Sequence, residues 1–454
     1  ATISRPLRGT STRLAHARQA RLAMMRRVPR TLAVSMHDRQ RLRNILGGSA
    51  GNFVEWFDWF VYASFALYFS KAFFPGNDQT VQLLNSALVF GGGFLARPVG
   101  AWLMGRYADR AGRRAALALS VGMMCGGSLL IALIPAGLGV ASTLLLVLAR
   151  VVQGLSMGGE YGASATYLSE MASARTRGLW SGLYFSTLIA GQLTALLVLI
   201  VLQSTLTEAQ LYAWGWRVPF VIGAALALVV FWIRRGIDET ASHVNESDGA
   251  AEESTGWSLL TRYRTETAIV VVLSAGGGMG FYTYTVYMQK FLVNTAGFGK
   301  DVASQVVTAV LLAMMALMPL MGWISDRVGR KPVMMFSYGL GALVAVPVLS
   351  ALASTTDPVR AFLLCLVPVI PLSGYSALSG ILKAELFPTR VRALGVALPY
   401  AISQALFGGN AETAALSFKK AGFESGYFWL LAGVMAVGFV VAAAMRDTQK
   451  QSLI

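Results

Sequence analysis

The sequence predicts an all-α membrane protein of twelve transmembrane helices, arranged as two six-helix halves, on three observations. Hydrophobic residues make up 55% of the 454-residue chain and charged residues only 13%. A soluble domain carries roughly 25% charged residues, so apolar surface here stands where such a domain would face water. Apolar segments of about 20 residues also recur along the chain, each long enough to cross a bilayer. The third observation is an internal repeat. GRYADRAGRR at 105–114 returns as GWISDRVGRK at 322–331, matching Gly105, Asp109, Gly112 and Arg113 to Gly322, Asp326, Gly329 and Arg330 at a constant offset of 217 residues. Glu170, seven residues before Arg177, is likewise matched by Glu385, seven before Arg392, at an offset of 215. Two unrelated basic loops do not repeat both spacing and separation, so the halves read as duplicates.

In chain order, residues 1–42 form a basic tail. Up to Asp38 it holds eight arginines and no acid. Such a segment is either an organellar transit peptide, which is Arg-rich and acid-poor, or a disordered, partly non-native lead with Met36 as the natural start. Spans are expected near 45–70, 80–104, 115–136, 142–168, 179–203 and 216–234, giving a first half at 43–236. The stretch 238–255 carries six acids among Ser, Thr, Asn and Gly with no apolar periodicity, so 237–264 reads as a linker between halves. Spans resume near 267–293, 302–324, 332–353, 358–383, 393–416 and 425–446, giving a second half at 265–446 and a tail at 447–454.

The net charge of +16 suggests nucleic acid until its placement is considered. Arginine and lysine cluster in alternate connections, at 106–114, 175–177, 234–235, 262–264, 327–331 and 390–392. That is the positive-inside asymmetry, which places both termini in the cytoplasm and makes the bilayer, not nucleic acid, the partner. Cys125 and Cys365 fall one in each half, inside apolar runs, with no CxxC spacing. No HExxH, nucleophile elbow or nucleotide-binding motif occurs, and the three histidines all lie in the tail or linker. No enzyme activity, metal or cofactor is therefore expected. The glycines at 276–280 lie inside an apolar segment with no following Lys-Ser/Thr, so they read as close packing or a flexible point interrupting a helix.

Charges inside the spans point to function, since each costs about 2.5–3.5 kcal/mol or more at a helix centre and should face a cavity. Arg97 lies eight residues before Gly105, and Arg217 opens the sixth span after Trp214-Gly215-Trp216. Together they present two planar forks to a dicarboxylate; the bland reading of Arg217 is an interfacial anchor. Lys290 on the seventh span reads either as a second-half cation or as another interfacial anchor. Tyr62, Gln192 and Tyr284 are candidate hydrogen-bonding groups for substrate. Proton coupling needs a group that changes protonation within the membrane. Glu55 and Asp58 share a face of the first span, with Asp58 nearer its middle, and Glu160 on the fourth span is the competitor. The alternative for each carboxylate is a fixed ion pair with Arg150 or Arg97. In the repeated loops, Asp109 and the arginines Arg110 and Arg113 either set topology alone or latch the two halves together on the basic side.

The two Gly-x-x-x-Asp-Arg-x-Gly-Arg loops, Arg150-x-x-x-Gly154 and the Glu-x6-Arg blocks resemble the major facilitator superfamily, from Met36 onward. GNFVEWFDWFVY at 51–62, FLARPVG at 94–100, QGLSMGGEYG at 153–162 and WGWRVPF at 214–220 resemble its metabolite:proton symporter family. FYTYTVYMQKFLVNTAG at 281–297 and SGILKAELFPTRVRALG at 379–395 are similar to the 2-oxoglutarate-carrying branch of that family. The resemblance implies proton-coupled symport of an anionic metabolite, 2-oxoglutarate, by alternating access in a bacterial inner membrane, by a monomer. It favours the latch reading, with Gly105, Asp109, Arg110, Arg113, Arg150, Glu170 and Arg177 answered by Asp326, Arg327, Arg330, Glu385 and Arg392. Other carboxylates (citrate, shikimate), a zwitterionic osmolyte such as proline or betaine, or a transporter-like metabolite receptor are the alternatives.

Overall fold

The computed structural model describes residues 30–111, 113–158, 175–234 and 256–449, with side-chain surroundings from residue 51 onward and fewer of them around the first basic loop. Helices account for every span, and no strand occurs among the described residues. The first span lies within the helix Arg30–Phe73, followed by Gln79–Ala111, Arg113–Leu133, Val140–Met157, Arg177–Thr205 and Val218–Arg234. Then come Arg264–Tyr282 extended by Met288–Asn294, Lys300–Val328, Arg330–Ala353, Pro358–Leu386, Thr389–Ser403 extended by Ala411–Lys420, and Glu424–Ala444. These twelve spans follow the expected order. The sixth is preceded by a single 3-10 turn, Gly215–Arg217, and the expected linker contains a short helix, Gly256–Thr261.

Local chemistry sets where spans begin and turn. Asp357 caps the tenth by accepting from the backbone N–H of Val359 and Arg360, with Pro358 at the first helical position, where its missing N–H costs nothing. Gly329 adopts φ 104° between the eighth and ninth spans, a left-handed turn that disfavours any residue with a Cβ.

Packing repeats as the sequence does. The second span packs on the fourth as the eighth does on the tenth, and the third packs on the sixth as the ninth does on the twelfth. The halves meet most extensively through two matching pairs, the second span on the eleventh and the fifth on the eighth, and the fifth packs on the tenth as well. Glycine makes the second of these pairs possible: a Cβ on Gly178 or Gly322 would run into the other's backbone carbonyl. Large apolar side chains such as Leu133, Val140, Trp232, Leu343 and Val440 lie exposed on the outside, as lipid-facing surface requires.

The glycine run corrects one expectation. Gly276 to Gly280 do not interrupt the seventh span, which runs unbroken through them. They admit neighbours instead, Tyr338 against Gly276, Tyr375 against Gly277 and the Gln404 amide against Gly278. The irregularity comes just after, as a π-helical segment at Thr283–Tyr287. A second one, Gln404–Gly408, breaks the eleventh span. Such wide turns are frequent at functional sites.

Candidate substrate and proton site

Two guanidinium groups meet on one indole ring in the first half. Arg97, 6% exposed, stands 4.2 Å from the Trp59 ring and 4.1 Å from Phe94, with Trp56 at 5.4 Å. Arg150 is fully buried, 4.0 Å from Trp59 and 4.6 Å from Tyr62. Backbone spacing builds this cluster. Phe94 and Arg97 are one turn apart on the second span, Trp59 and Tyr62 on the first, and Arg150 and Gln153 on the fourth, so each pair shares a face. Gly93 leaves room for the indole, since a Cβ there would come within 2.9 Å of it.

Neither guanidinium forms an ion pair among the described residues. Arg97 Nη2 donates only a long contact, 3.5 Å, to the Met157 sulfur, and its guanidinium lies within hydrogen-bonding reach of the Tyr282 hydroxyl across the half interface. Arg150 Nη1 donates to Gln153 Oε1 at 2.7 Å. Arg97 Nε and Arg150 Nε and Nη2 have no partner among the described residues. Aromatic faces return about 2 kcal/mol per desolvated cation, on the order of the 2.5–3.5 kcal/mol that each charge costs at this depth. The unused N–H donors are suited to an anion.

Asp58 lies behind them, 2% exposed. Its Oδ1 accepts from the Ser128 hydroxyl and its Oδ2 from Gln153 Nε2 at 2.7 Å, while Gln153 Nε2 also reaches Ser128 Oγ at 2.9 Å. Gln153 therefore bridges Asp58 to Arg150, donating to the first and accepting from the second. The direct Asp58–Arg150 ion pair considered from sequence is replaced by this one-residue relay. A change of charge at Asp58 is felt at Arg150 without the two groups neutralising each other. Glu55 is buried one turn away on the same helix.

Several expected residues stand elsewhere. Arg217 does not join Arg97. Its Nη1 and Nη2 donate to the carbonyls of Ala213, at 2.9 Å, and Ile134, at 3.1 Å, and it lies over Trp216, so it ties together the turn before the sixth span and the end of the third. Lys290 is neither an interfacial anchor nor an unpaired cation, because it is 1% exposed and paired with Glu412 at 2.7 Å. Tyr62 donates to the Ser86 carbonyl at 3.1 Å, and Gln192 Nε2 donates across the half interface to the Thr285 carbonyl at 2.7 Å, in the π segment. Tyr284, in the same segment, is buried with its hydroxyl unpartnered among the described residues. Arg150, grouped with the latch from its motif, belongs to the central cluster, ten residues into its span, roughly 15 Å by helical rise. Sequence reasoning missed Lys383, 1% exposed on the tenth span, whose ammonium donates to Ser379 Oγ at 2.8 Å and sits 3.9 Å from the Tyr400 ring.

At the basic end, the second-half loop closes onto the first half. The Asp326 carboxylate accepts from the backbone N–H of Gly178 at 2.7 Å and Leu179 at 2.8 Å, at the start of the fifth span, where unpaired amides and the helix dipole favour an anion. Arg330, fully buried, bridges Asp326 at 2.9 Å and Glu385 at 3.3 Å. Glu385 also accepts from Thr448, and Asp447 accepts from the Arg330 backbone N–H, so part of the expected C-terminal tail is built into this cluster. Arg392 Nε donates to the carbonyls of Ala384 and Phe387 where the tenth span ends. Arg177 is half-buried, and Arg110 is exposed. Arg327 departs from the latch set, lying exposed 3.6 Å from the Trp323 ring. Gly105, Asp109 and Arg113 fall on helices, but their side chains, like Glu160 and Glu170 altogether, lie outside the described residues.

The opposite end is open. A cavity of about 790 Å³ there is lined by Tyr68, Lys71, Gln203, Tyr212, Lys300 and Asp301, among others. Asp326→Asn removes the carboxylate that holds Gly178 and Leu179, worth about 1.5–3 kcal/mol as charge-assisted bonds. A Gln203→Cys reporter in this cavity is then expected to label several-fold more slowly in the Asp326→Asn background, as the molecule spends less time in this state. An unchanged labelling rate would remove Asp326 from the latch.

Twelve spans in two matching halves, tied across the halves by Asp326 at the basic end, with a cavity at the other end and charge buried between, define a multi-pass membrane transporter of the alternating-access type. Residues 48–409 match the Major Facilitator Superfamily model, and the chain belongs to that family. It is 48% identical to the alpha-ketoglutarate permease of Escherichia coli (strain K12), over 92% of this chain and 96% of that protein. It is 31% identical to a citrate-proton symporter of Salmonella typhi, over 88% of this chain and 93% of that one. A proline/betaine transporter of E. coli is 28% identical over 92% of this chain and 86% of its own length. Among solved structures, a D-xylose-proton symporter matches with a TM-score of 0.74 at 19% identity, covering 90% of this chain and 98% of that one. An inward-open xylose transporter from E. coli matches at 0.71 and 17%, covering 90% and 97%. The structural likenesses carry the fold.

Proposed function

We propose that this protein is a proton-coupled symporter of 2-oxoglutarate in a bacterial inner membrane, with the basic end and both termini in the cytoplasm. The observation that carries the anion is the pair of buried guanidiniums, Arg97 and Arg150, with donors unused among the described residues. The 48% identity to a permease whose name states alpha-ketoglutarate narrows the anion to that substrate class. A substrate carboxylate takes the free donors of Arg97 and Arg150 in place of the protein carboxylate neither possesses, and Asp58 carries the proton. The relay through Gln153 gives the two events a common path: neutralising Asp58 removes the negative charge that shares Arg150 with the substrate. The hold of Asp326 on the basic side and the cavity on the other support reading this state as the outward-facing step. The halves 43–236 and 265–446 then rock about the site to release substrate and proton inside.

Uptake of labelled 2-oxoglutarate into proteoliposomes with an alkaline interior tests this reading. Uptake is expected to rise with the imposed gradient and to be competed by unlabelled dicarboxylates but not by proline or betaine. Gradient-driven uptake of labelled betaine or citrate, with none of 2-oxoglutarate, would move the substrate to the osmolyte or citrate relatives.

A further inference from the structure

Lys383 is a buried cation that the reading above leaves unused. It belongs to the second half, near the end of the tenth span, and its ammonium donates back along its own helix. Its ammonium lies 3.9 Å from the Tyr400 ring on the eleventh span and 6.0 Å from Tyr375 on its own, and it donates to Ser379 Oγ at 2.8 Å. On the other side, the Phe94 ring that Arg97 covers at 4.1 Å packs 5.2 Å from Tyr282 of the seventh span, and Tyr375 packs against Gly277 of that same span. Three phenols thus flank the two cations, Tyr282 on the side of the first-half guanidinium and Tyr375 and Tyr400 beside the second-half ammonium. The ground between the two cations is polar, aromatic and shared by both halves. The packing that builds it is specific. Gly277 gives Tyr375 its place against the seventh span, and Gly409 lets Phe94, one turn from Arg97, press against the eleventh.

We infer that Lys383 binds the second carboxylate of the substrate, so that a dicarboxylate bridges Arg97 and Arg150 in one half to Lys383 in the other. This rests on the dicarboxylate reading above and deepens it into a rule of selection. A ligand with one carboxylate satisfies the first half alone. A ligand with two, at the separation of a five-carbon chain, engages cations on both sides of the interface. Such a ligand favours the state in which the halves are drawn together around it, because a ligand shifts a conformational equilibrium only through its differential affinity for the two states. Phenol hydroxyls beside each cation supply hydrogen bonds to the carboxylate oxygens left over, which a buried anion requires.

Calorimetric titration of the purified full-length protein with 2-oxoglutarate and with 2-oxovalerate separates the two subsites, since 2-oxovalerate carries a methyl group where 2-oxoglutarate carries its second carboxylate. The unaltered protein is expected to prefer 2-oxoglutarate by about 30-fold or more, the worth of one buried charge-assisted contact. Lys383→Met is expected to cut that preference below about 3-fold by weakening 2-oxoglutarate alone. Its unchanged affinity for 2-oxovalerate reports an intact fold and an intact Arg97–Arg150 site, and Lys383→Arg is expected to restore most of the preference. A Lys383→Met protein that keeps the preference, or that loses affinity for both ligands equally while Lys383→Arg rescues neither, would overturn the proposal. Failure of the unaltered protein to bind either ligand would overturn the transport reading itself and this inference with it.

Discussion

Arg97→Ala and Arg150→Ala are each expected to raise the KM for 2-oxoglutarate by about 100-fold, with protein still inserted in the membrane. Each removes a guanidinium able to make charge-assisted bonds to a carboxylate, worth about 1.5–3 kcal/mol apiece, and tenfold in affinity corresponds to about 1.4 kcal/mol. Neither loss breaks a direct ion pair among the described residues, and Asp58 keeps its Ser128 and Gln153 donors when Arg150 is removed. The cost should therefore fall on substrate rather than on folding. Lysine at either position keeps the charge but not the planar fork, so Arg97→Lys should recover only part of the affinity. Arg217→Ala is the internal comparison. It removes donors to the Ala213 and Ile134 carbonyls, so thermal stability is expected to fall while KM stays within about threefold. A KM insensitive to Arg97 and Arg150 would remove them from the site.

Asp58→Asn is expected to abolish concentrative uptake, at least tenfold, while leaving counterflow exchange of 2-oxoglutarate across proteoliposomes largely intact. The substitution fixes the residue in a neutral state of nearly the same shape. The Asn oxygen still accepts from the Gln153 amide, and the Ser128 hydroxyl, which both donates and accepts, turns to accept from the Asn Nδ2. Substrate can bind and exchange, but no proton travels with it, so a pH gradient no longer drives accumulation. Gradient-driven accumulation surviving in Asp58→Asn would pass the role to Glu55, on the same face, or to Glu160.

The repeat at 105–114 and 322–331 made the duplicated twelve-span architecture legible, because topology is written in apolar length and loop charge. The second-half charge cluster at the basic end was legible for the same reason: Asp326, Arg330 and Glu385 lie inside the repeated blocks. The candidate site was legible only where a charge falls within a hydrophobic span, as Arg97 and Asp58 do. Arg217 misled because sequence does not report that a guanidinium folds back onto the carbonyl four residues earlier. Arg150 sits in a motif grouped with the latch, and only the packing of Trp59 and Tyr62 against it places it in the central cluster. Lys290 and Glu412 are 122 residues apart, and nothing local to either announces the other. Lys383 sits one turn from a helix end, where a lysine ordinarily reaches water; the eleventh span, with Tyr400, turns it inward. The π segment at Thr283–Tyr287 has no composition that distinguishes it from ordinary helix.

Coupling between proton and dicarboxylate is the central claim, and it is read most directly by loading proteoliposomes with a pH-sensitive dye and adding 2-oxoglutarate outside with no gradient imposed. The lumen is expected to acidify as substrate enters, in the unaltered protein but not in Asp58→Asn. Entry of labelled substrate without acidification would contradict it, and would leave a carrier of the same fold that moves its anion alone.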